Sequence, residues 1–308
     1  MFRQRHSSHR GAALIMALLV VALATTLAST LIWRQDMWLR QIETRRDLAQ
    51  SRLLAIAGID WARAVLAEDA RTSSSDHLGE PWATKVPAMP AEGGEVGGEL
   101  ADEQAKWNVN NLVRNGVVDA DSLAILVRLL SQLDLPQTLA LTLADWIDSD
   151  SVTTPDGAED AFYLAQTRPY RSANRELSDL DNLVRVRGFN SDIIEKLRPY
   201  VSALPGYNPV NLNTTSAIVL AAVLPDVSAA DAQQVIVERN RIPFRDIADF
   251  RNRLPRFESS NPGAGKLDTR SRYFSVMIRS RFGNVDLATV ALLDRQTTWP
   301  SVVWQKFE

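Results

Sequence analysis

The sequence has no cysteine, and its only histidines among 308 residues are His6, His9 and His77. The lack of cysteine excludes disulfides, thiol catalysis and cysteine-based zinc or iron–sulfur sites. Because two of the histidines lie in the first ten residues, a Ser-His-Asp triad or a multi-histidine metal site has at most one further imidazole. The composition therefore argues against most hydrolase chemistry.

The sequence also lacks an excess of positive charge. Its formal net charge is −3, which leaves no electrostatic footprint for nucleic acid. Charged residues make up 23% and hydrophobic residues 45% of the chain, as in ordinary globular proteins. A chain of this length has room for two or three modest domains.

One long apolar run stands near the start of the chain. The 22 residues from Ala12 to Trp33 carry no charge, which is enough to cross a bilayer core as a helix. The segment before the run contains Arg3, Arg5 and Arg10 and no acid. Such a segment stays in the cytoplasm, so we expect a single pass through the inner membrane and a C-terminal part in the periplasm.

The run differs from an ordinary secretory signal, because it is longer and its conspicuous break, Gly11, lies on the basic side. In these features it resembles the class III signal of type IV pilins and pseudopilins; a plain single-pass anchor is the alternative. The resemblance implies that prepilin peptidase cuts between Gly11 and Ala12, leaving Ala12 as the mature N-terminus, with or without a methyl group. Most pilins have a Glu four residues later, where this chain has Met16. The absence of that Glu fits the first subunit of a filament, and also a protein that is not a pilin.

The chain beyond Trp33 continues as an amphipathic helix, predicted to run from about Ala12 to Glu68. Two apolar stripes at helical spacing support it: Leu39, Ile42, Ala49, Leu53 and Ile56, then Leu48, Ala55, Ile59, Ala62 and Leu66. Strict heptads are not sustained, which argues against a coiled coil. Given the resemblance, the residues expected to pack against neighbouring filament helices are Met16, Leu39, Ile42, Leu53 and Ile56.

The remaining chain mixes helical and strand patterns. Residues 69–104 are loop-rich with room for a short hairpin, and residues 105–113 alternate like a strand. Helical periodicity covers 119–147, and 176–201 is typical of a helix-hairpin-helix unit with Gly188 at its turn, loosely echoed over 214–254. Strands are predicted over 273–280, 286–295 and 302–307, with a loop over 259–265.

An acidic loop interrupts the helical segment. No Lys or Arg lies between Arg128 and Arg168, and six carboxylates fall within the 16 residues from Asp145 to Asp160. Crowded carboxylates repel one another, and Ca²⁺ accepts six to eight oxygen ligands in a tolerant geometry. An acidic turn that caps two helices explains the pattern as well. The ligands expected for calcium are Asp148, Asp150, Asp156, Glu159 and Asp160, with Asp145 outside the ligand set.

Two other functions, DNA binding and carboxylate-based catalysis, could explain some of these features. A helix-hairpin-helix unit often binds DNA phosphate, but here Asp192 and Glu195 follow the turn and no basic stripe accompanies them. Paired carboxylates on a membrane anchor would also suit a periplasmic glycosidase or lytic enzyme. We expect the helix-hairpin-helix unit to be a packing module rather than a DNA-binding one, and we expect the protein not to be an enzyme.

Taken together, these segments resemble the K-type minor pseudopilins of type II secretion. The shared motifs are the Asp-Trp-Ile-Asp-x-Asp…Pro-Asp-Gly-x-Glu-Asp run, Asn-Leu-Asn-Thr and Ser-Arg-Phe-Gly. The family implies a non-catalytic subunit at the tip of the pseudopilus, bound to I- and J-type minor pseudopilins, that starts or caps the filament and aids export of folded proteins across the outer membrane. Calcium bound to the acidic loop would stabilise the inserted domain of this subunit.

The resemblance also implies an α+β fold. We expect a pilin-like long N-terminal helix packed on a small antiparallel sheet, with a large inserted, mainly α-helical domain. The expected segments are a leader (1–11), the long helix with a transmembrane N-terminal half (12–68), a pilin-like α/β domain (69–113 and 206–308) and the insert with the acidic loop (114–205).

Overall fold

A single helix of 63 residues, α1 (Arg10–Thr72), dominates the computed structural model. The structure describes residues 10–257 and 265–307; most of the expected leader, and all but the last residue of the expected loop over 259–265, lie outside these ranges. The first part of α1 is exposed, and it is long and apolar enough to cross a membrane once. The helix ends four residues beyond the predicted end at Glu68.

The second half of α1 packs on a five-stranded antiparallel sheet. The strands, in the order β1-β2-β9-β10-β11 across the sheet, are β1 (Val86–Ala91), β2 (Gly94–Asp102), β9 (Tyr273–Phe282), β10 (Val285–Asp294) and β11 (Ser301–Phe307). One face of α1, including Ala55, Ile59 and Leu66, meets the inward side chains of β9 and β10, including Phe274 and Ile278. This arrangement confirms the predicted pilin-like α+β fold.

The sheet forms because its strands alternate in the way the sequence predicted. Along β9 the residues from Val276 to Phe282 alternate between buried and exposed, so one face covers α1 and the other faces solvent. Gly283 makes the turn to β10 at a φ of +52°. Glycine is also required at Gly98, where a Cβ atom would lie 2.6 Å from the carbonyl oxygen of Met277. The predicted strand over 302–307 is present as the edge strand β11.

Helices and very short strands fill the chain between β2 and β9. The helices are α2 (Ala120–Gln132), α3 (Thr138–Ile147), α4 (Asp160–Leu164), α5 (Ser191–Leu197), α6 (Ala217–Val223), α7 (Ala229–Arg241) and α8 (Ile247–Arg253). The short strands are β3 (Trp107–Asn108), β4 (Val113–Arg114), β5 (Val117–Val118), β6 (Val201–Ser202), β7 (Val210–Asn211) and β8 (Leu267–Asp268). The expected insert ends at residue 205, whereas α6, α7 and α8 share one hydrophobic cluster with α2, α3 and α5. The helical part therefore continues past that position.

Residues 105–113 do not form the single strand that their alternation predicted. A 3₁₀ turn, Val109–Leu112, separates β3 from β4. Asparagine side chains hold this turn: Asn108 bonds the backbone of Leu204, and Asn110 bonds Leu177 through both its amide nitrogen and its amide oxygen. These side chains bond the backbone of distant segments, and the 3₁₀ turn limits strand pairing to the two residues on either side of it.

The predicted hairpin around Gly188 is present. A 3₁₀ segment, Leu180–Arg185, precedes it, and α5 follows it. Gly188 has a φ of +88°, which an L side chain rarely adopts. Asn190 caps α5 by accepting a hydrogen bond from the amide of Ile193. Leu180, Leu183, Ile194 and Leu197 are buried in the helical core, as a packing module requires.

Candidate metal centre and assembly surface

The acidic loop begins where α3 ends. Asp148 closes α3, since its amide still donates to the carbonyl oxygen of Ala144 at 2.9 Å while its φ and ψ are already extended. The chain then loops out and returns at Glu159, which stands directly before α4. The two ends of the loop thus lie on ordered helix termini, and their carboxylates have fixed positions.

Three carboxylates of this loop converge. One oxygen each of Asp148, Asp150 and Glu159 lies within 4.8 Å of the others. Asp148 is 3% and Glu159 is 2% exposed, whereas Asp150 is exposed. Asp148 Oδ1 and Glu159 Oε1 are buried without a hydrogen-bond partner. A buried acceptor without a partner loses its hydration and gains nothing in return, so these two oxygens are available to a cation.

The charges of these groups are not offset by a basic residue. None of the ion pairs among the described residues involves Asp148, Asp150 or Glu159. Burial, followed by the charges of Asp150, Glu159 and Asp145, raises the pKa of Asp148 to about 6. Burial also raises the pKa of Glu159. The group is therefore costly in its ionised form unless a cation is present.

Asp145 organises the loop without joining the group of three. Its side chain is fully buried and accepts hydrogen bonds from the amide and the hydroxyl of Thr154, at 3.1 and 2.8 Å. A Cβ atom at Gly157 would lie 2.0 Å from Asp145 Oδ2, so glycine is needed where the loop crosses this side chain. Asp145 is not one of the three converging carboxylates, and its exclusion from the ligand set stays a prediction.

The structure does not bring the two remaining candidates, Asp156 and Asp160, into the group of three. Asp156 is exposed at the tip of the loop with a φ of +67°. Asp160 Oδ1 accepts hydrogen bonds from the amide and the hydroxyl of Ser172, both at 3.0 Å, and its other oxygen lies 3.6 Å from Arg171. Asp160 thus has protein partners of its own.

A later segment contributes two residues that sequence reasoning missed. The Ser172 hydroxyl donates to Glu159 Oε2 at 2.9 Å. Asn174 Nδ2 donates to the carbonyl oxygen of Asp150 at 3.0 Å, while Asn174 Oδ1 is buried without a partner. No spacing rule could have found Asn174, because it lies 24 residues after Asp150 in a segment without regular structure.

These residues fit a hard divalent cation. Three oxygens in and beside the group, on Asp148, Glu159 and Asn174, are buried and unpartnered. Calcium binds carboxylate and amide oxygens and tolerates irregular geometry. The donor set contains no nitrogen or sulfur ligand, which disfavours zinc and the softer transition metals.

A second surface lies on α1, opposite the face that covers the sheet. Its large apolar side chains are exposed: Leu39 49%, Ile42 45%, Leu53 67% and Ile56 44%. Met16, 67% exposed, belongs to the part that can cross a membrane. Isolated exposed leucines are common, but a stripe at helical spacing along one helix is typical of a helix-packing surface.

A long helix whose first part can cross a membrane packs on a small antiparallel sheet, and this arrangement defines the protein as a pilin-like subunit. This subunit also has a large helical part. Models of the type II secretion system protein K family match residues 105–206 and 210–270. The chain belongs to this family, and it is a minor pseudopilin, a structural component of the type II secretion pseudopilus.

Individual relatives cover nearly the whole chain. The chain is 35% identical to type II secretion system protein K of Pseudomonas aeruginosa, over 92% of the chain and 88% of the relative. It is 30% identical to the Klebsiella pneumoniae protein, over 97% and 96%. A chain in the crystal structure of the GspK-GspI-GspJ complex from enterotoxigenic Escherichia coli superimposes with a TM-score of 0.77 at 25% identity, covering 87% of this chain and 99% of that one.

Proposed function

We propose that the protein lies at the tip of the pseudopilus, bound to I- and J-type minor pseudopilins, where it starts or caps the filament and aids export of folded proteins. The observation that carries this proposal is the exposed apolar stripe on α1, which offers a neighbouring helix a packing surface. The similar solved chain assembles with GspI and GspJ. Met16 replaces the Glu typical of repeating subunits, and the large helical part would obstruct a subunit stacked above it.

We further propose that the mature chain starts at Ala12, with the globular part in the periplasm and without a catalytic role. The basic leader and the apolar half of α1 support this orientation. Both Gly11 and Ala12 are exposed, so neither packs against another part of the chain that the structure describes.

Intact mass and N-terminal sequencing of the protein from its own membranes are expected to give Ala12 as the first residue, with or without a methyl group. A Gly11→Leu variant is expected to remain unprocessed, because the segment resembles a class III signal, in which prepilin peptidase cuts after the glycine. A wild-type chain that starts at Met1 in cells with active peptidase would reduce α1 to an ordinary anchor.

We also propose that Asp148, Asp150 and Glu159 bind Ca²⁺, with Asn174 Oδ1 as a further ligand. The unpartnered buried oxygens of Asp148, Glu159 and Asn174 support this proposal. When bound, the cation would supply positive charge and no chemistry. It would join the end of α3, the start of α4 and the Asn174 segment, and would stabilise the fold by binding the native state alone.

Calcium is expected to raise the melting temperature of the wild-type protein, and Asp148→Asn is expected to abolish that rise. Asp156→Asn is the matched control, because Asp156 is an exposed carboxylate of the same loop outside the group of three, and it should keep the full rise. Thermal unfolding with Ca²⁺ and with chelator measures both. Equal responses in the two variants would contradict the proposed ligands.

The same measurement, thermal unfolding with Ca²⁺ and with chelator, tests whether Asn174 is a calcium ligand. Asn174→Ala is expected to weaken calcium binding, whereas Asn174→Asp keeps Oδ1, adds a charge and should bind at least as tightly as wild type. If Asn174 acted only through its hydrogen bond to the Asp150 carbonyl, both variants would weaken binding, because both remove the donor.

A further inference from the structure

A second group of buried charges lies where the end of α1 meets the sheet. We call it the junction cluster: Asp69, Asp76, Glu80 and Arg295. One oxygen of each carboxylate lies within 4.8 Å of the others, and Asp69, Asp76 and Glu80 are 7%, 2% and 7% exposed. The Arg295 side chain is 3% exposed. The group is separate from the acidic loop and has no part in the proposed calcium site.

Arg295 lies between two of the three carboxylates. Its Nη1 donates to Asp69 Oδ2 at 2.7 Å, and its Nη2 donates to both oxygens of Asp76 at 2.6 Å. Nη2 also donates to the carbonyl oxygen of Ser271 at 2.6 Å. The guanidinium carbon lies 4.7 Å from the ring centre of Phe274. Because the guanidinium fills this space, the cluster is not a second cation site.

Glu80 has partners other than the guanidinium. Its Oε2 accepts hydrogen bonds from Trp82 Nε1 at 2.7 Å and from the amide of His77 at 2.9 Å. The imidazole of His77, partly exposed, lies 3.8 Å from Glu80 Oε1. A fourth buried carboxylate, Asp102, ends β2 beside the cluster and accepts hydrogen bonds from Thr214 and Ser271.

The cluster has too little positive charge for its carboxylates. With all groups ionised, Asp69, Asp76 and Glu80 would carry three negative charges against the one positive charge of Arg295, in a region shielded from water. Buried charges without partners are costly, so one of the groups is expected to be neutral. Oxygens of Asp69 and Asp76 lie within 4.8 Å of each other, and Arg295 bonds both carboxylates. An ionised carboxylate only accepts hydrogen bonds, so a proton on one of the two would replace the repulsion of two charges by a donor to the other.

We propose that Asp69 and Asp76 share one proton in the folded protein, and that loss of this proton weakens the attachment of α1 to the sheet. Asp69 belongs to the last turn of α1, Asp76 to the segment that follows it, and Arg295 comes directly after β10. The shared proton therefore links the anchor helix to the sheet. Because the link depends on protonation, its strength varies with the pH around the protein.

The direction of the effect follows from the ionisation of Asp69. Burial, then the charges of Glu80 and Asp76, raise the pKa of Asp69 from 3.8 to about 7, against the opposing effect of Arg295. Between these two values the folded protein holds a proton that the unfolded chain has lost. The free energy of unfolding therefore falls as pH rises through this range, and this contribution stays constant above it.

Denaturant unfolding of the full-length protein in detergent, with chelator present, tests the proposal. Asp69→Asn keeps the shape of the protonated acid, and its NH₂ group can donate to Asp76. From about pH 5 to about pH 7, the unfolding constant of wild type relative to this variant is expected to rise by up to tenfold per pH unit, and then to level off. A ratio that does not change with pH would overturn the proposal.

Two further variants make the test specific. Glu68→Gln, next to Asp69 but 62% exposed and paired with Arg71, should follow wild type at every pH. Glu80→Gln removes a charge that raises the pKa of Asp69, so the fall in stability should end at a lower pH. An unshifted profile in Glu80→Gln would contradict the shared proton, and this variant also serves if Asp69→Asn does not fold. Burial also raises the pKa values of Asp102 and Asp148, and both carboxyls are present in wild type and in every variant.

Discussion

Replacing Arg295 by Met is expected to lower the free energy of unfolding by about 3–5 kcal/mol, because it leaves buried carboxylates without their cation. Arg295 makes four hydrogen bonds through its guanidinium, to Asp69, Asp76 and the Ser271 carbonyl, and its side chain is 3% exposed. Methionine fills similar volume over Phe274 but supplies no charge. Denaturant unfolding at constant pH measures the loss.

Arg198→Met is the matched control for this prediction. Arg198 also bonds two carboxylates, Glu195 and Asp181, but all three side chains are exposed to solvent by 42–65%. Exposed ion pairs contribute between zero and about 1 kcal/mol, so this variant should remain close to wild type. Equal losses in the two variants would show that the burial of Arg295 has no energetic consequence.

Replacing Leu53 and Ile56 together by Glu is expected to abolish assembly without unfolding the protein. Both side chains lie on the stripe of α1 that faces away from the sheet, at 67% and 44% exposure. Two carboxylates placed against an apolar helix of a neighbouring subunit would lose their hydration. Losing two packing residues of this kind typically weakens an interface by more than tenfold.

Co-purification with the I- and J-type subunits, secretion in cells and the melting temperature of the isolated protein measure this effect. Leu78→Glu is the matched control, since Leu78 is 56% exposed but lies on the segment after α1 and not on the stripe. The double variant should lose both partners and secretion and keep its melting temperature. Retained binding would place the interface on another surface.

The sequence predicted the elements that rest on regular periodicity. Helix α1 and the hairpin of β9 and β10 follow from apolar spacing, and the turn at Gly188 follows from the conformational freedom of glycine. The broken strand over 105–113 could not be predicted in this way. Its conformation is set by side chains such as Asn108, which bonds Leu204 at a separation of 96 residues.

The candidate sites show the same limit. The crowding of carboxylates indicated the acidic loop, but not which of them converge, because that depends on how the loop crosses Asp145 at Gly157. Asn174 joins the loop only through a tertiary hydrogen bond. No pattern in the sequence indicated the junction cluster, because Asp69 and Arg295 are 226 residues apart.

The order of strands in the sheet has a consequence for how the chain folds. Strand β2 pairs with β9, so its partner is synthesised only after the whole helical part. Pairing over so long a sequence separation is slow, and during synthesis the N-terminal elements exist first. Until β9 arrives, the edge of β2 that β9 will cover and the apolar face of α1 have no partner. A chain that stops after α8 would lack three of the five strands, so most of the sheet that covers α1 would be missing and the exposed hairpin of β1 and β2 would be open to aggregation.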